Sequence, residues 1–139
     1  MSKKILLISV AILVIAAVGI LAFKYTFRES EKSVGSEPAM ASLSASQLLR
    51  TYEENEDSAN RLYLGKVISV TGVIYSFSED SVSISVYLKE PEDFSGVMCV
   101  FDKSEIDPGS LMAGMDASLK GICSGYLFDV ILNKCTLED

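Results

Sequence analysis

The sequence predicts a mainly β protein with three parts in chain order. An N-terminal transmembrane helix comes first, one leading α-helix follows, and a small five-stranded barrel completes the chain. Three patterns predict this fold class. Residues 5–23 form an uncharged apolar run, residues 45–62 carry apolar side chains at helical spacing, and after Gly65 the apolar period falls from about 3.6 to about 2. A change of period at a glycine indicates that a helix ends there and that strands follow.

The apolar run is long enough to be a membrane anchor. Its nineteen residues, at about 1.5 Å each, span roughly 28 Å, close to the hydrocarbon thickness of a bilayer. A cleaved signal peptide is the alternative, but its apolar core is usually shorter, and here Lys24 and Arg28 stand where small residues are expected. No cysteine stands directly after the run to carry a lipid. We therefore expect residues 1–28 to form an uncleaved, single-pass anchor.

The charges beside the anchor favour a domain outside the cytoplasm. Lys3, Lys4 and the α-amine precede the apolar run, whereas Lys24 and Arg28 follow it. Because the more positive flank of a membrane helix stays in the cytoplasm, this difference of one charge places the amino terminus inside. We expect a membrane protein with an extracytoplasmic domain.

The segment after the anchor changes character twice. Residues 29–42 are rich in Ser, Glu, Gly and Pro and have no apolar period, which predicts a flexible tether. Residues 43–139 then form the globular domain. Ser44 and Gln47 have the spacing of a capping box, which predicts that a helix over residues 45–62 begins there.

Most of the remaining sequence has the alternating apolar pattern of β-strands. Gly72 interrupts the first segment, and a glycine in a strand often marks a bulge or the corner of a small barrel. The residues between the third and fourth predicted strands have no strand pattern and contain only a turn that Asp102 could cap. We interpret this segment as a crossover. The predicted strands are residues 66–77, 81–88, 96–101, 117–124 and 129–137.

The last hairpin has two candidate registers. A turn centred on Asp129 would bring Cys123 and Cys135 face to face. We favour a turn at residues 125–128, because its first residue is a glycine, which adopts positive φ without cost. In that register Cys123 faces Val130 instead.

Two motifs carry a resemblance to a known family. The helix text reads LL-x-x-Y-E-x-N-E-x-x-A from Leu48, and the opening of the first strand reads Y-x-G-K-x-I-x-V-x-G from Tyr63. Over residues 43–137 the chain resembles the bacterial OB-fold domains called tRNA anticodon-binding-like, which include OB-fold lipoproteins. The resemblance implies a five-stranded OB-fold barrel and a place at the cell envelope. It implies no activity, and the lipid-attachment cysteine of many such proteins is missing.

Charge and composition exclude several function classes. Residues 30–139 contain 8 basic and 18 acidic residues, a net charge of −10. Such a field repels phosphate backbones, so nucleic acid is a disfavoured partner. The chain has no histidine, which removes Ser-His and Cys-His catalytic pairs and imidazole metal sites. We therefore expect no catalytic residue, no metal and no cofactor.

The sequence instead favours a binding module that is not an enzyme, with a protein or an envelope polymer as its ligand. OB barrels usually bind across their second and third strands, which makes aromatic residues there candidates. Tyr87 ranks first, because alternation places it opposite the apolar face of its strand. A structural role in an envelope assembly, through the acidic helix, is the alternative. The candidate ligand-binding residues are Tyr75, Phe77, Tyr87 and Phe94.

The three cysteines have two open interpretations. The third and fifth strands of an OB barrel are neighbours, and the family resemblance also places a cysteine near each of two matching positions, Cys99 and Cys135. We expect these two to lie close together and, in an oxidising compartment, to form a disulfide, with Cys123 free and buried. The alternative is three reduced thiols that pack in the core as small apolar side chains.

Overall fold

The computed structural model describes residues 2–27 and 34–139. The chain divides into two compact units, Met1–Lys32 and Ser33–Asp139. The helices are α1 (Lys3–Phe27), α2 (Ala45–Glu54) and α3 (Glu56–Tyr63), and the strands are β1 (Ala41–Ser44), β2 (Val67–Glu79), β3 (Ser83–Leu88), β4 (Val97–Asp102), β5 (Asp116–Leu127) and β6 (Asp129–Leu137).

Within the described residues, the first unit contains α1, a helix of 25 residues. Its stretch Lys3–Lys24 has a mean hydropathy of 3.1 and buries no side chain within the protein. By length and composition this helix could cross a membrane, as the apolar run at residues 5–23 predicts.

The predicted tether, residues 29–42, is wrong over the part that the structure describes. Val34–Ser36 form a turn of 3₁₀ helix in which Val34 is buried. Ala41–Ser44 form β1, which pairs in parallel with β2. Polar composition misled the prediction, because this segment is held by backbone hydrogen bonds to β2 and by single apolar side chains such as Val34 and Ala41, which form no apolar period. Residues 28–33 lie outside the described residues.

Two helices replace the single helix predicted over residues 45–62. The capping box is present: the amide of Gln47 donates to Ser44 Oγ at 3.1 Å, and the amide of Ser44 donates to Gln47 Oε1 at 3.0 Å. The helix then breaks at Asn55, whose backbone is extended at φ −161° and ψ 99°. Asn55 Oδ1 accepts from the amide of Ser58 at 3.0 Å, so the residue that ends α2 caps α3.

The predicted five-stranded barrel is confirmed. The strands follow the order β2-β3-β4-β6-β5, and β5 pairs back onto β2 to close the sheet. The pair β4–β6 is parallel, while the other neighbours in the barrel are antiparallel. β1 adds a sixth strand to the edge of β2. The crossover between β4 and β5 begins with the predicted turn, in which Asp102 Oδ1 accepts from the amide of Ser104 at 2.9 Å. A short 3₁₀ turn at Pro108–Ser110 follows and is capped by Asp107.

Gly72 does not form the predicted kink, because the register shift in β2 lies between Ile74 and Ser76. At Gly72 a Cβ atom would lie 3.1 Å from the Cβ of Ala45, so this glycine lets α2 approach the strand closely. The core that results contains the apolar face of β3 together with Leu48, Leu49 and Tyr52 of α2.

The favoured register of the last hairpin is wrong. The turn lies at Phe128, whose φ is +70°, and Leu127 pairs with Asp129. Gly125 does adopt a positive φ, but at a bulge within β5, not in the turn. Cys123 consequently pairs with Leu132 rather than with Val130 or Cys135.

Candidate functional site

A bulge in β2 decides which aromatic side chains meet. Ile74 pairs with Leu88, but Ser76 already pairs with Tyr87, so Tyr75 is the extra residue opposite Tyr87. The rings of Tyr75 and Tyr87 meet edge to face, with centroids 6.4 Å apart and planes at 73°. Lys89 Nζ lies over the Tyr75 ring, 4.3 Å from its centroid.

Tyr87 is fixed by a carboxylate from another strand. Its hydroxyl donates to Asp129 Oδ1, and the amide of Gly96 donates to the same oxygen at 3.0 Å. Burial raises the pKa of Tyr87 to about 12, and the hydrogen bond to Asp129 acts in the same direction. The phenol is therefore neutral at physiological pH and holds its ring in a defined orientation.

Two apolar side chains extend the pair across the sheet. Tyr87 pairs with Met98, and Met98 pairs with Ile131, so all three lie in one row on the outer surface of β3, β4 and β6. Each is partly exposed. We call Tyr75, Tyr87, Met98 and Ile131 the aromatic face.

The other two predicted site residues do not join this face. Phe77 pairs with Val86, whose side chain points into the core, because the bulge inverts the alternation after Tyr75. Phe77 is nevertheless 38% exposed. Phe94 lies in the loop between β3 and β4 and is 93% exposed. Ligand binding by Tyr75, Phe77, Tyr87 and Phe94 stays a prediction.

The three cysteines are free, buried thiols. The neighbouring thiol of Cys135, together with burial, raises the pKa of the Cys99 thiol well above its usual value. The Cys135 thiol donates to the carbonyl oxygen of Leu132 at 3.4 Å. Cys123 lies elsewhere in the core, 3.2 Å from the hydroxyl of Tyr52. The predicted disulfide is not formed in this structure, although its two partners are neighbours, so the bond itself stays a prediction.

Sequence reasoning missed Asp129, Met98 and Ile131. No local signal marks them, since each meets Tyr87 only through the pairing of β3 with β4 and of β4 with β6. Among residues 2–27 and 34–139, no three side chains of His, Cys, Asp or Glu form a group that could hold a metal ion.

A family model and one solved structure agree with this architecture. The tRNA_anti-like family matches residues 1–137. A crystal structure from Klebsiella pneumoniae, described as a "putative nucleic acid-binding lipoprotein", is similar with a TM-score of 0.61 and 19% identity, over 70% of this chain and 91% of that chain. An asparaginyl-tRNA synthetase from Entamoeba histolytica matches at a TM-score of 0.41 and 16% identity, over 52% of this chain and 21% of that one. A search of curated proteins gave no significant match.

Proposed function

Since the chain belongs to the tRNA_anti-like family, we propose that it is a membrane-anchored binding module that is not an enzyme, with its OB barrel outside the cytoplasm. In this proposal α1 holds the protein in the membrane and the aromatic face binds an envelope polymer or a protein. The family assignment supports a binding role. The ligand and the location are the parts that experiment must test.

The pair formed by Tyr75 and Tyr87 carries the proposal. Rings on an open sheet surface present apolar area at little cost in conformational entropy. The Tyr87 hydroxyl donates its hydrogen to Asp129, and its oxygen can still accept a hydrogen bond from a ligand. Asp129 and Lys89 hold the two rings before any ligand arrives. A surface that is already ordered loses less entropy on binding, which favours affinity.

Single-stranded nucleic acid is the second candidate. The name of the Klebsiella protein favours it, as do aromatic rings on an OB barrel. The net charge of −10 over residues 30–139 opposes it, because affinity for nucleic acid depends on neutralising phosphates with Lys and Arg. We therefore rank it below an envelope polymer or a protein.

The aromatic face predicts a specific loss of binding. We expect the full-length protein in detergent to co-sediment with purified peptidoglycan sacculi, and Tyr75→Ala and Tyr87→Ala each to weaken binding by about tenfold, as loss of a central aromatic contact commonly does. Tyr87→Phe keeps the ring but loses its hydrogen bond to Asp129, so it should bind less tightly than the wild type and more tightly than Tyr87→Ala. Met112→Ala is the matched control, since Met112 is also exposed but lies in the crossover.

Failure to bind sacculi in the wild type would exclude this polymer. Equal binding by Tyr87→Ala and wild type would exclude the face. Fluorescence anisotropy with an oligothymidine tests the second candidate: measurable binding at about 0.15 M salt that falls steeply with further salt would establish nucleic acid in its place.

Location and disulfide can be tested in one labelling experiment. Ser2 precedes α1 in the chain and Ser81 follows it, and both positions are exposed. We expect an impermeant maleimide to label Ser81→Cys in intact cells but to label Ser2→Cys only after the membrane is opened. The native cysteines are buried and should react only after unfolding. If the compartment is oxidising, unfolding without reductant should expose Cys123 alone, and reductant should then expose Cys99 and Cys135.

The reverse labelling of Ser2→Cys and Ser81→Cys would place the domain in the cytoplasm. Reaction of all three native cysteines without reductant would exclude the disulfide and leave the orientation result intact.

A further inference from the structure

Three large apolar side chains stand out at one end of the barrel. Phe94 is 93% exposed, Leu127 is 80% exposed and Phe128 is 66% exposed. We call these three the tip cluster. Clustered apolar side chains on a soluble surface usually mark an interaction site.

The loops that carry the tip cluster are joined to each other. The amide of Gly96 donates to Asp129 Oδ1 at 3.0 Å, and the amide of Val130 donates to the carbonyl oxygen of Gly96 at 3.0 Å. Phe94 lies two residues before Gly96, and Phe128 lies one residue before Asp129. The two loops therefore lie side by side, and each exposes large apolar side chains at this end of the barrel.

Phe128 occupies a backbone conformation that disfavours it. Its φ of +70° lies in the left-handed region, where a bulky residue is strained and Asn or Gly is the ordinary choice. Folding would be favoured by a smaller residue at this position. An exposed phenylalanine that makes the turn less stable is consistent with a role in binding.

The same two loops are acidic. Residues 89–96 and 126–129 contain four carboxylates, Glu90, Glu92, Asp93 and Asp129, and one cation, Lys89. Lys89 is already engaged with the ring of Tyr75 on the aromatic face. Beside the loops, Glu53 of α2 accepts a hydrogen bond from Ser95 Oγ at 3.4 Å. Glu90 lies apart from the cluster, in a pocket with Asp116 and Ser118. Glu92 and Asp93 directly precede Phe94, and Asp129 directly follows Phe128, so carboxylates flank the tip cluster.

The tip cluster lies far from the point where the chain enters the domain. Lys120 Nζ donates to the carbonyl oxygens of Gly35 and Glu37, at 3.1 Å and 2.9 Å. From Lys120 the strand β5 runs seven residues to Leu127, or about 23 Å at the rise of an extended strand. The acidic residues oppose contact with anionic lipid, so an anionic bilayer is a poor occupant for this surface.

From these observations we propose that the tip cluster docks a basic protein segment, whose apolar side chains cover Phe94, Leu127 and Phe128 while its Lys or Arg residues pair with the flanking carboxylates. This surface goes beyond the proposed ligand site, because the two can be disabled by different substitutions. Charge complementarity selects the partner, and the exposed apolar side chains supply the desolvated centre of the contact.

A defined peptide tests the proposal. The full-length protein in phosphatidylcholine nanodiscs would be titrated with a short fluorescein-labelled peptide of lysines around one phenylalanine, and binding to empty nanodiscs would be subtracted. We expect Phe94→Ser and Leu127→Ser to weaken binding by about tenfold, and an increase from about 0.05 M to about 0.3 M salt to weaken it as well. Val82→Ser is the matched control, since Val82 is 70% exposed at the other end of β3.

Phe128→Asn separates binding from folding. Asparagine tolerates the left-handed backbone, so the variant should keep or raise the thermal midpoint while it loses binding. Equal affinity in wild type and the three variants would overturn the proposal, as would equal affinity for a peptide with glutamates in place of the lysines. Quenching of a dye attached at Phe94→Cys by brominated lipid chains would assign the surface to the bilayer and overturn it too.

Discussion

Replacing Gly96 with alanine is expected to lower the free energy of unfolding by about 3 kcal/mol, at the upper end of the usual cost of overpacking. A Cβ atom at this position would lie 2.4 Å from the carbonyl oxygen of Leu88 and 2.9 Å from Lys89 Cβ. The nearer atom belongs to the backbone and cannot swing aside, so β3 or the loop must move. Urea unfolding of the full-length protein, followed by tyrosine fluorescence because the chain has no tryptophan, measures the loss.

Gly109→Ala is the matched control for this substitution. Its Cβ atom would come no closer than 3.4 Å, to the Asp107 side chain, and the residue is exposed. We expect a change within about 0.5 kcal/mol, as is usual for surface positions. Equal stability of Gly96→Ala and Gly109→Ala would show that the β3–β4 loop is not packed as the structure has it.

The substitution at Gly96 should also disturb the aromatic face. The amide of Gly96 and the hydroxyl of Tyr87 share one oxygen of Asp129. If the backbone moves, Asp129 loses one of its two donors, and Tyr87 loses the carboxylate that orients its ring. Gly96→Ala is therefore expected to weaken ligand binding as well as folding, whereas Gly109→Ala should affect neither.

Replacing Gly121 with alanine is expected to cost about 2 kcal/mol through the same kind of overpacking. The new Cβ atom would lie 2.6 Å from Cys135 Sγ, with the carbonyl oxygen of Asn133 and Leu132 Cβ each at 3.2 Å. Here the closest atom is a side-chain sulfur. Its removal should therefore recover part of the loss, which a double-mutant cycle can measure by urea unfolding.

The double variant Gly121→Ala/Cys135→Ala should lose less stability than the two single variants together, by about 1 kcal/mol, as expected for residues in direct contact. Gly121→Ala/Ile84→Ala is the control, because Ile84 lies on β3, which does not pair with β5, and is not among the residues nearest Gly121. There the two effects should add. Additivity in both pairs would contradict the predicted clash with Cys135.

The aromatic face was only partly predictable from the sequence. Tyr87 follows from the alternation of β3, where Ile84, Val86 and Leu88 are fully buried and Tyr87 faces out. Tyr75 and Phe77 look equivalent in the sequence, since residues two apart share a face of a regular strand. The bulge between Ile74 and Ser76 places these two side chains on opposite faces of β2, and no neighbouring residue in the sequence marks its position.

Local chemistry fixed the features that depend on a few neighbouring residues. The capping box at Ser44 and Gln47, the apolar length of α1 and the strand periods are set by near-neighbour hydrogen bonds and side-chain spacing, so the sequence by itself determined them. The family motifs that begin at Leu48 and Tyr63 likewise predicted the barrel from the sequence alone, and the family match over residues 1–137 agrees with them.

Only the tertiary structure decided the features that depend on barrel closure. Three such features join residues that are far apart in the chain. They are the packing of residues 34–44 against β2 and Lys120, the proximity of Cys99 to Cys135, and the hydrogen bond from the Tyr87 hydroxyl to Asp129. Bulges in β2 and β5 shift the register, and a shift of one residue exchanges the two faces of a strand. Periodicity predicts that a strand forms, but its partner strands determine where each side chain points.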